Sequence, residues 1–589
     1  MNSRSNMKLT SRLLFRLLPM QIFLALTGSI NAIVSGLFAT NFVGTDAMTA
    51  VGLYGPINMF VYAISTMLVG GATILCGKYM GRDEDDKVQN VFSLGNLLGV
   101  CIAAFFITIF LIAGFFDLTG VMTGDAAVRA LFNRYIIGQA VGILPIFLGN
   151  QLAAFLSIEN KASRTTVASF VFLAVNVSLN FLFVAKLHME AFGLALAASI
   201  GAWAFFLVQV VYFFSPQSEL RLFSRNVRWD ETLQIVKIGI PGAASYGYQT
   251  LRGLIVNELL LVYVGNEGVS AFTASDSLLR LAWAVPGGMM AVSRMLISIS
   301  IGEEDKQTLT DVMRNMFRRF LPLMSAISLA IILSSKFLTM MYYRDPSDPV
   351  YMMTVWGFRI LPLCMPLSII CMHFTVYAQA SGKQILVHLL SVFDGVISVA
   401  GFTALLIPRM GMNSVYIANV LNGVVTTVIV GLYPIIKTGK IPRNMEELMV
   451  IPEGFGVSED QRMDITVRSI EDVVSVAKEV QDFCSGRGID RKRSYYAGLF
   501  LEEMAGNVVM HGFSKDSRDH SVDIRVVRKD EDVILRIKDD CVPFDPAERR
   551  NMTDPEDITK NIGIRMIYKL TDRTEYKNML GLNVLTVRI

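Results

Sequence analysis

The sequence predicts an all-α polytopic membrane domain of twelve transmembrane helices in two six-helix repeats, followed by an α+β sandwich. Composition carries the first part of that expectation. Of 589 residues, 53% are hydrophobic and 17% charged, where soluble proteins carry about 25% charged residues. The deficit is local. Residues 1–440 hold 30 Lys+Arg and 22 Asp+Glu, and residues 441–589 hold 23 and 28. The first stretch suits lipid and the second suits water. The expected divisions are a first membrane half at 10–220, a second at 221–440, a linker at 441–462 and a water-soluble domain at 463–589. A net charge of +3 excludes a nucleic-acid binder driven by bulk electrostatics.

A helix crossing a bilayer needs about 20 mainly apolar residues. Twelve runs meet this, at 14–40, 50–78, 90–116, 131–156, 166–186, 191–215, 233–263, 270–300, 316–342, 351–380, 384–408 and 414–437. Loops after even-numbered runs carry Lys78, Arg82 and Lys87, then Lys161 and Arg164, then Arg221, Arg225 and Arg228, then Lys306, Arg314, Arg318 and Arg319. The other loops have almost none. The positive-inside rule then puts both termini in the cytoplasm. No cleavable signal peptide is expected: the first run lacks a small-residue cleavage site and many more spans follow it. The six cysteines show no metal spacing and read as free thiols in a reducing compartment.

The membrane part repeats itself. Leu18-Pro19 and Val43-Gly44 are answered by Ile240-Pro241 and Val264-Gly265. Gly70-Gly71 before Gly81-Arg82-Asp83-Glu84-Asp85 is answered by Gly287-Gly288 before Gly302-Glu303-Glu304-Asp305. Asn160-Lys161 is answered by Gly382-Lys383. The offset is about 222 residues each time, which relates two halves of like topology by an axis along the membrane normal and predicts a central cavity between them.

The segments Val34-Ser35-Gly36-Leu37-Phe38-Ala39-Thr40-Asn41-Phe42-Val43-Gly44, Val175-Asn176-Val177-Ser178-Leu179-Asn180 and Lys237-Ile238-Gly239-Ile240-Pro241 resemble the MATE family of multidrug and toxin extrusion transporters. The wider group includes lipid-linked oligosaccharide flippases. The resemblance implies a small-molecule or lipid-linked substrate, membrane lipid around the chain, location in a bacterial inner membrane, and exchange against H⁺ or Na⁺. It also implies coupling carboxylates where this chain has Ser35 and Asn180. Neither Ser nor Asn takes up a proton near neutral pH, so the usual first-half proton site is expected to be absent. Asn176 is retained and reads as a helix–helix hydrogen bond. Ionisable groups inside spans are costly and mark function. The remaining candidates for the transport cavity are therefore Arg252, Glu258, Asp276, Arg280 and Asp394, with Asp276 and Arg280 four apart and able to pair.

After Lys437 the composition changes. Residues 438–462, with Pro442, Pro452, Gly454 and Gly456, read as a linker. Met463–Val467 alternates as a strand. Ile470, Val473, Val474, Val476, Ala477, Val480 and Phe483 mark an amphipathic helix. A helix follows at about 492–510, a hairpin at 521–527 and 533–538, a helix at 562–570 and a last strand at 583–589. The expected arrangement is helices on one face of a mixed sheet.

Three boxes in this tail are similar to the GHKL superfamily of ATP-binding domains, the Bergerat-type sandwich, and within it to anti-sigma-factor serine kinases. They are Leu501-Glu502-Glu503-Met504-Ala505-Gly506-Asn507, Ile537-Lys538-Asp539-Asp540-Cys541-Val542-Pro543-Phe544, and Asn561-Ile562-Gly563-Ile564. The resemblance implies ATP with Mg²⁺ held by Asn507, adenine read by Asp539, and Pro543 and Phe544 in the nucleotide wall. It further implies phosphate at Asn561 and Gly563, where a helix N-terminus offers bare N–H groups. Glu503 is the implied catalytic base, while Glu502 faces elsewhere and His511 reads as a structural helix end. The family has glycine where this chain has Cys541 and Asn561. A lid is expected at 550–560.

The chain is therefore expected to be a MATE-like transporter or flippase with a cytoplasmic, nucleotide-binding regulatory domain. Against this stands a membrane-tethered signalling protein whose tail phosphorylates or sequesters a cytoplasmic protein partner. An ATP-driven pump is disfavoured, because the GxxxxGK[ST] loop is missing.

Overall fold

The computed structural model describes residues 6–589 apart from 39–41, 44, 124, 223–226, 516–519, 530–531, 548–561 and 572. The membrane part is helical throughout, as uninterrupted apolar sequence in lipid must be. Its helices are α1 (Asn6–Phe38), α2 (Thr45–Gly81), α3 (Asp85–Phe115), α4 (Ala126–Ile158), α5 (Ala162–Lys186), α6 (Glu190–Phe213), α7 (Thr232–Tyr263), α8 (Asn266–Gly302), α9 (Lys306–Leu333), α10 (Pro349–Ser381), α11 (Gln384–Met410) and α12 (Asn413–Thr438). Among the described residues, 11 helices are long and apolar enough to cross a membrane. The seventh expected run is the exception. It forms a helix of 32 residues, but it carries Lys237, Arg252 and Glu258.

The halves meet through α1 against α8 and α2 against α7. Near the tail the contact is backbone on backbone. A Cβ at Gly71 would lie 2.0 Å from the carbonyl oxygen of Ile235, and one at Gly239 2.0 Å from that of Met67. A Cβ at Gly302, where α8 ends, would lie 2.2 Å from the carbonyl oxygen of Lys78 on α2. Towards the other end of α7, a Cβ at Gly247 or Gly253 would meet nothing within 4 Å. The two halves thus meet backbone to backbone on the tail side, and further along α7 the contact passes to side chains, where the Thr250 hydroxyl donates to the Met59 sulfur at 3.3 Å.

Among the described residues, four of the membrane helices carry irregular turns. A π turn runs from Phe181 to Lys186 in α5, a second from Met316 to Phe320 in α9, and a third from Phe393 to Ile397 in α11. A 3₁₀ turn at Leu361–Leu363 surrounds Pro362 in α10, where proline removes a donor. π turns gather at functional positions, and Asp394 sits in the third.

The stretch read as a linker is not a free spacer. It folds into α13 (Met445–Met449), which lies on the membrane part. Tyr377 donates to the carbonyl of Met449 at 3.1 Å, Lys383 donates to that of Val450 at 2.9 Å, and Lys306 pairs with Glu446. Its prolines and glycines shape this path.

The tail holds α14 (Ile470–Ser485), α15 (Arg491–Asn507) and α16 (Ile562–Leu570), with β1 (Arg462–Val467), β2 (Val522–Lys529), β3 (Asp532–Asp539), β4 (Arg573–Met579) and β5 (Leu582–Arg588). Helix α14 opens with a capping box between Ser469 and Asp472. It buries Val473, Val476, Ala477, Val480 and Phe483, while Ile470 and Val474 stay exposed. The sheet order is β1-β2-β3-β5-β4, and every pairing is antiparallel. The expectation of a mixed sheet is corrected here. The reason is β4, which the sequence pattern did not show. It turns through Leu580 and Gly581, both at positive φ, so β5 returns alongside it and inserts next to β3. One face of the sheet, with Val522, Ile524, Val526, Leu535, Ile537, Leu585 and Val587, packs on Ala497, Phe500, Leu501 and Met504 of the helices. The apolar positions alternate with polar ones, so that the apolar side chains gather on the face that the helices cover.

Candidate functional site

A cavity of about 640 Å³ opens between the sheet and the ends of α15 and α16, lined by Glu503, Asn507, Asp539, Phe544 and Gly563 among others. These five come from all three sequence boxes. Glu503 and Asn507 are one helical turn apart on α15 and share its cavity face, while Glu502 is exposed. Pro543 is exposed and Pro546 lines the wall in its place. Asn561 and the expected lid at 550–560 lie outside the described residues.

Asp539 ends β3 and is 4% exposed. Its Oδ1 accepts from the Cys541 N–H at 2.9 Å and from Asn583 Nδ2 at 2.7 Å. Asn583 Oδ1 in turn accepts from the Tyr576 hydroxyl at 2.8 Å and from Asn578 Nδ2 at 2.8 Å. The Tyr576 oxygen accepts from the Phe544 N–H at 3.0 Å. This chain of bonds fixes the carboxylate and the wall beside it. Burial pushes the Asp539 carboxyl above the ordinary carboxylate range, and the Asn583 and Cys541 donors oppose that push.

Gly563 has a second role beside the one expected of it. A Cβ there would lie 1.9 Å from Glu503 Oε2. The glutamate therefore presses against the bare backbone at the start of α16, where an N-terminal dipole favours negative charge. His511 and Lys515 also line the cavity. His511 stands on the π turn Val508–Gly512 that ends the helix, so it both closes the helix and reaches the cavity rim. Tyr576 and Asn583 lie in the ending 576–587, which also fits the resemblance, but were not singled out as site residues: they are polar residues on adjacent strands, united by the hairpin.

The cavity suits a nucleoside triphosphate. Its volume is in the usual ligand range of about 300–1,000 Å³. A buried, oriented acceptor, Asp539, lines it together with Asn507, Lys515 and the start of α16 at Gly563.

In the membrane part, Asn176 and Asn180 are both buried, and Asn180 Nδ2 donates to Asn176 Oδ1 at 2.8 Å. That bond lies within α5, one turn apart, and corrects the helix–helix reading of Asn176. Ser35 lies on α1, and its side chain is outside the described residues. Asp276 and Arg280 pair at 3.1 Å with both side chains partly exposed. Arg252 donates to the backbone carbonyl of Asp394 at 3.4 Å, and Asp394 Oδ1 accepts from Asn422 at 2.8 Å. A Cβ at Gly395 would lie 2.4 Å from that of Tyr248, so α7 and α11 touch closely here. Glu258 is exposed on α7, apart from this cluster. Sequence reasoning also missed His373. It is fully buried, with Nδ1 bonded to the Ile369 carbonyl and Nε2 to Ser293, each at 2.9 Å.

The fold and the cavity define a multi-span membrane protein of the MATE transporter fold joined to a histidine kinase-like ATPase domain. Residues 19–182 match the MatE family, and residues 467–589 match the histidine kinase-like ATPase domain. The chain is similar to the probable multidrug resistance protein NorM of Bacillus licheniformis, at 23% identity over 304 residues, covering 50% of this chain and 64% of that one. It is also similar to the multidrug export protein MepA of Staphylococcus haemolyticus, at 19% identity, covering 62% of this chain and 80% of the other. An outward-facing multidrug resistance MATE family transporter superposes with a TM-score of 0.69 at 18% identity, over 75% of this chain and 97% of its own.

Proposed function

We propose that the chain is an efflux transporter whose tail is a cytoplasmic ATP-binding regulatory domain. The observation that carries the regulatory half is the convergence of Glu503, Asn507, Asp539, Phe544 and Gly563 on one cavity. In this reading Asp539 accepts from the adenine amino group, Asn507 ligates Mg²⁺ beside the phosphates, and the start of α16 receives them. ATP·Mg²⁺ would supply the phosphoryl group and the counter-charge. Glu503 is within reach of that end and would orient or deprotonate an attacking hydroxyl.

For the membrane half, the names of the relatives support a small-molecule export substrate, and two repeated halves that meet along α1–α8 and α2–α7 support alternating access. The asymmetry of basic loops supports an inner-membrane location with residues 441–589 and both termini in the cytoplasm. A reporter enzyme fused after Lys440 tests this: it should work only as a cytoplasmic enzyme, and export of it would overturn the orientation. The arrangement of Arg252, Asp394 and Asn422 at a π turn makes Asp394 the carboxylate best placed for cation coupling. The decisive experiment is uptake of a cationic dye into proteoliposomes of the full chain, with and without Mg·ATP. Uptake that responds to nucleotide supports the whole reading. A dye gradient that never forms refutes the transport half, and uptake indifferent to nucleotide refutes the regulatory half.

A further inference from the structure

The face of the sheet turned away from the nucleotide cavity carries a row of bases, each paired with an acid of the membrane part. Arg525 on β2 pairs with Asp305. On β3, Lys538 lies 2.6 Å from Glu303 and 3.8 Å from Asp305, and Arg536 lies 3.4 Å from Glu303 and 3.6 Å from Asp83. On β4, Lys577 lies 2.7 Å from Asp85 and 3.1 Å from Asp83. The side chains of Glu303 and Asp305 are only 2% and 3% exposed. Burial alone would raise the Asp305 carboxyl, but Arg525 and Lys538 beside it hold it well below the usual carboxylate range.

Two facts make this more than surface charge. The acids come from the turn between α2 and α3, with Asp85 opening α3, and from the turn between α8 and α9, the corresponding connections of the two repeats. Arg536 touches both. Those loops sit at the ends of the helices whose backbones meet at Gly302 and Lys78. Parting the halves on this side would strip Glu303, Asp305 or Asp83 of buried partners, an outcome strongly disfavoured for desolvated charges. The backbone joins in at the edge, where the Leu580 N–H donates to the Ile158 carbonyl at 3.1 Å.

We propose that the basic face of the tail's sheet is a clasp that holds the tail-side ends of both membrane halves together, so that the chain opens on this side only when the tail releases one acidic loop. The docking itself stands on these contacts alone, and its meaning for access rests on the transporter reading above.

Hydrogen exchange of the full chain in lipid nanodiscs tests it, with segments 78–88 and 299–309 as reporters. Arg536→Glu sets a carboxylate against both loops. Both segments should then exchange at least about tenfold faster, together, while segments of α4 and α6 stay as in the wild type. Arg536→Lys keeps a positive charge between the two loops and should leave both segments nearly as protected as in the wild type. No change in Arg536→Glu, acceleration of one segment only, or equal acceleration in Arg536→Lys would each overturn the clasp. Because this measurement needs no substrate, a silent dye assay would sink the transport reading and leave the clasp standing.

Discussion

Replacing Asp539 by asparagine changes one acceptor at the end of a buried strand and little else. The wild-type Oδ1 is held by two donors, Asn583 Nδ2 at 2.7 Å and the Cys541 N–H at 2.9 Å. The substituted amide keeps an oxygen for them, so Asn583, Tyr576 and the Phe544 backbone stay in place. What it loses is the second, charged acceptor, and in its place stands an NH₂ group. A hydrogen bond to a charged group contributes about 1.5–3 kcal/mol. Mg·ATP should therefore bind roughly ten- to hundredfold more weakly. The exchange also reverses the preference at the base, because inosine presents an oxygen where adenine presents an amino group. The wild type should prefer ATP to ITP, and Asp539→Asn should bind ITP at least as well as ATP. Competition against a fluorescent nucleotide on the full chain measures both ratios, with thermal unfolding as the fold check. Equal loss for ATP and ITP in a well-folded variant would refute adenine reading by Asp539. Silence of the wild type at millimolar nucleotide would make the tail a protein-docking module instead.

Three further outcomes follow from the geometry. Gly563→Ala puts a methyl 1.9 Å from Glu503 Oε2; because that is the far end of a flexible side chain, which can swing aside, the change should cost no more than about 1 kcal/mol, and none of it should remain in a Glu503→Ala background; a larger loss by thermal unfolding, or one that persists without Glu503, would exclude the contact. Asp523 is 7% exposed and burial pushes it up to about 6, with Thr466 and Lys538 opposing. The folded chain takes that proton near pH 6 and the unfolded chain near pH 4, so Asp523 lowers stability as pH rises through this window, and Asp523→Asn should be more stable than the wild type by on the order of 2 kcal/mol at pH 7.5 but equal to it near pH 4. In the membrane part, Asp394→Asn should flatten the pH dependence of dye uptake while Glu258→Gln leaves it intact; the reverse result would move the coupling site to α7.

The apolar runs were legible because lipid allows no other solution for twenty apolar residues. The three boxes were legible because each holds its residues within a short stretch. What stayed hidden depended on partners far away in sequence. Strand β4, Arg-Thr-Glu-Tyr-Lys-Asn-Met, has no apolar alternation because both its faces are polar: Tyr576 serves the cavity wall and Lys577 meets Asp83 and Asp85. Without β4 the sheet order could not be read. The acidic loops at 83–86 and 303–305 look like ordinary solvated turns until the sheet that covers them is present. Asn176 and Asn180 were legible as polar residues in a span, but not as partners of each other. The carboxylate of Glu503 against Gly563 joins two boxes that the sequence could only place side by side.

Along β3 and β4, neighbouring residues look in opposite directions: Asp539 and Tyr576 into the cavity, Lys538 and Lys577 onto the acidic loops. This limits how the two parts can be recombined. A tail of this kind grafted onto a transporter lacking acids in both loops would be a passenger, carrying its nucleotide with nothing to grip. A transporter that kept the loops but lost the tail would expose two like-charged turns to each other across the seam, with their counter-charge gone. The workable unit of exchange is the sheet together with both turns, three pieces of sequence separated by more than about 150 residues, and only a joint of that kind would let the fusion be inherited as a working machine.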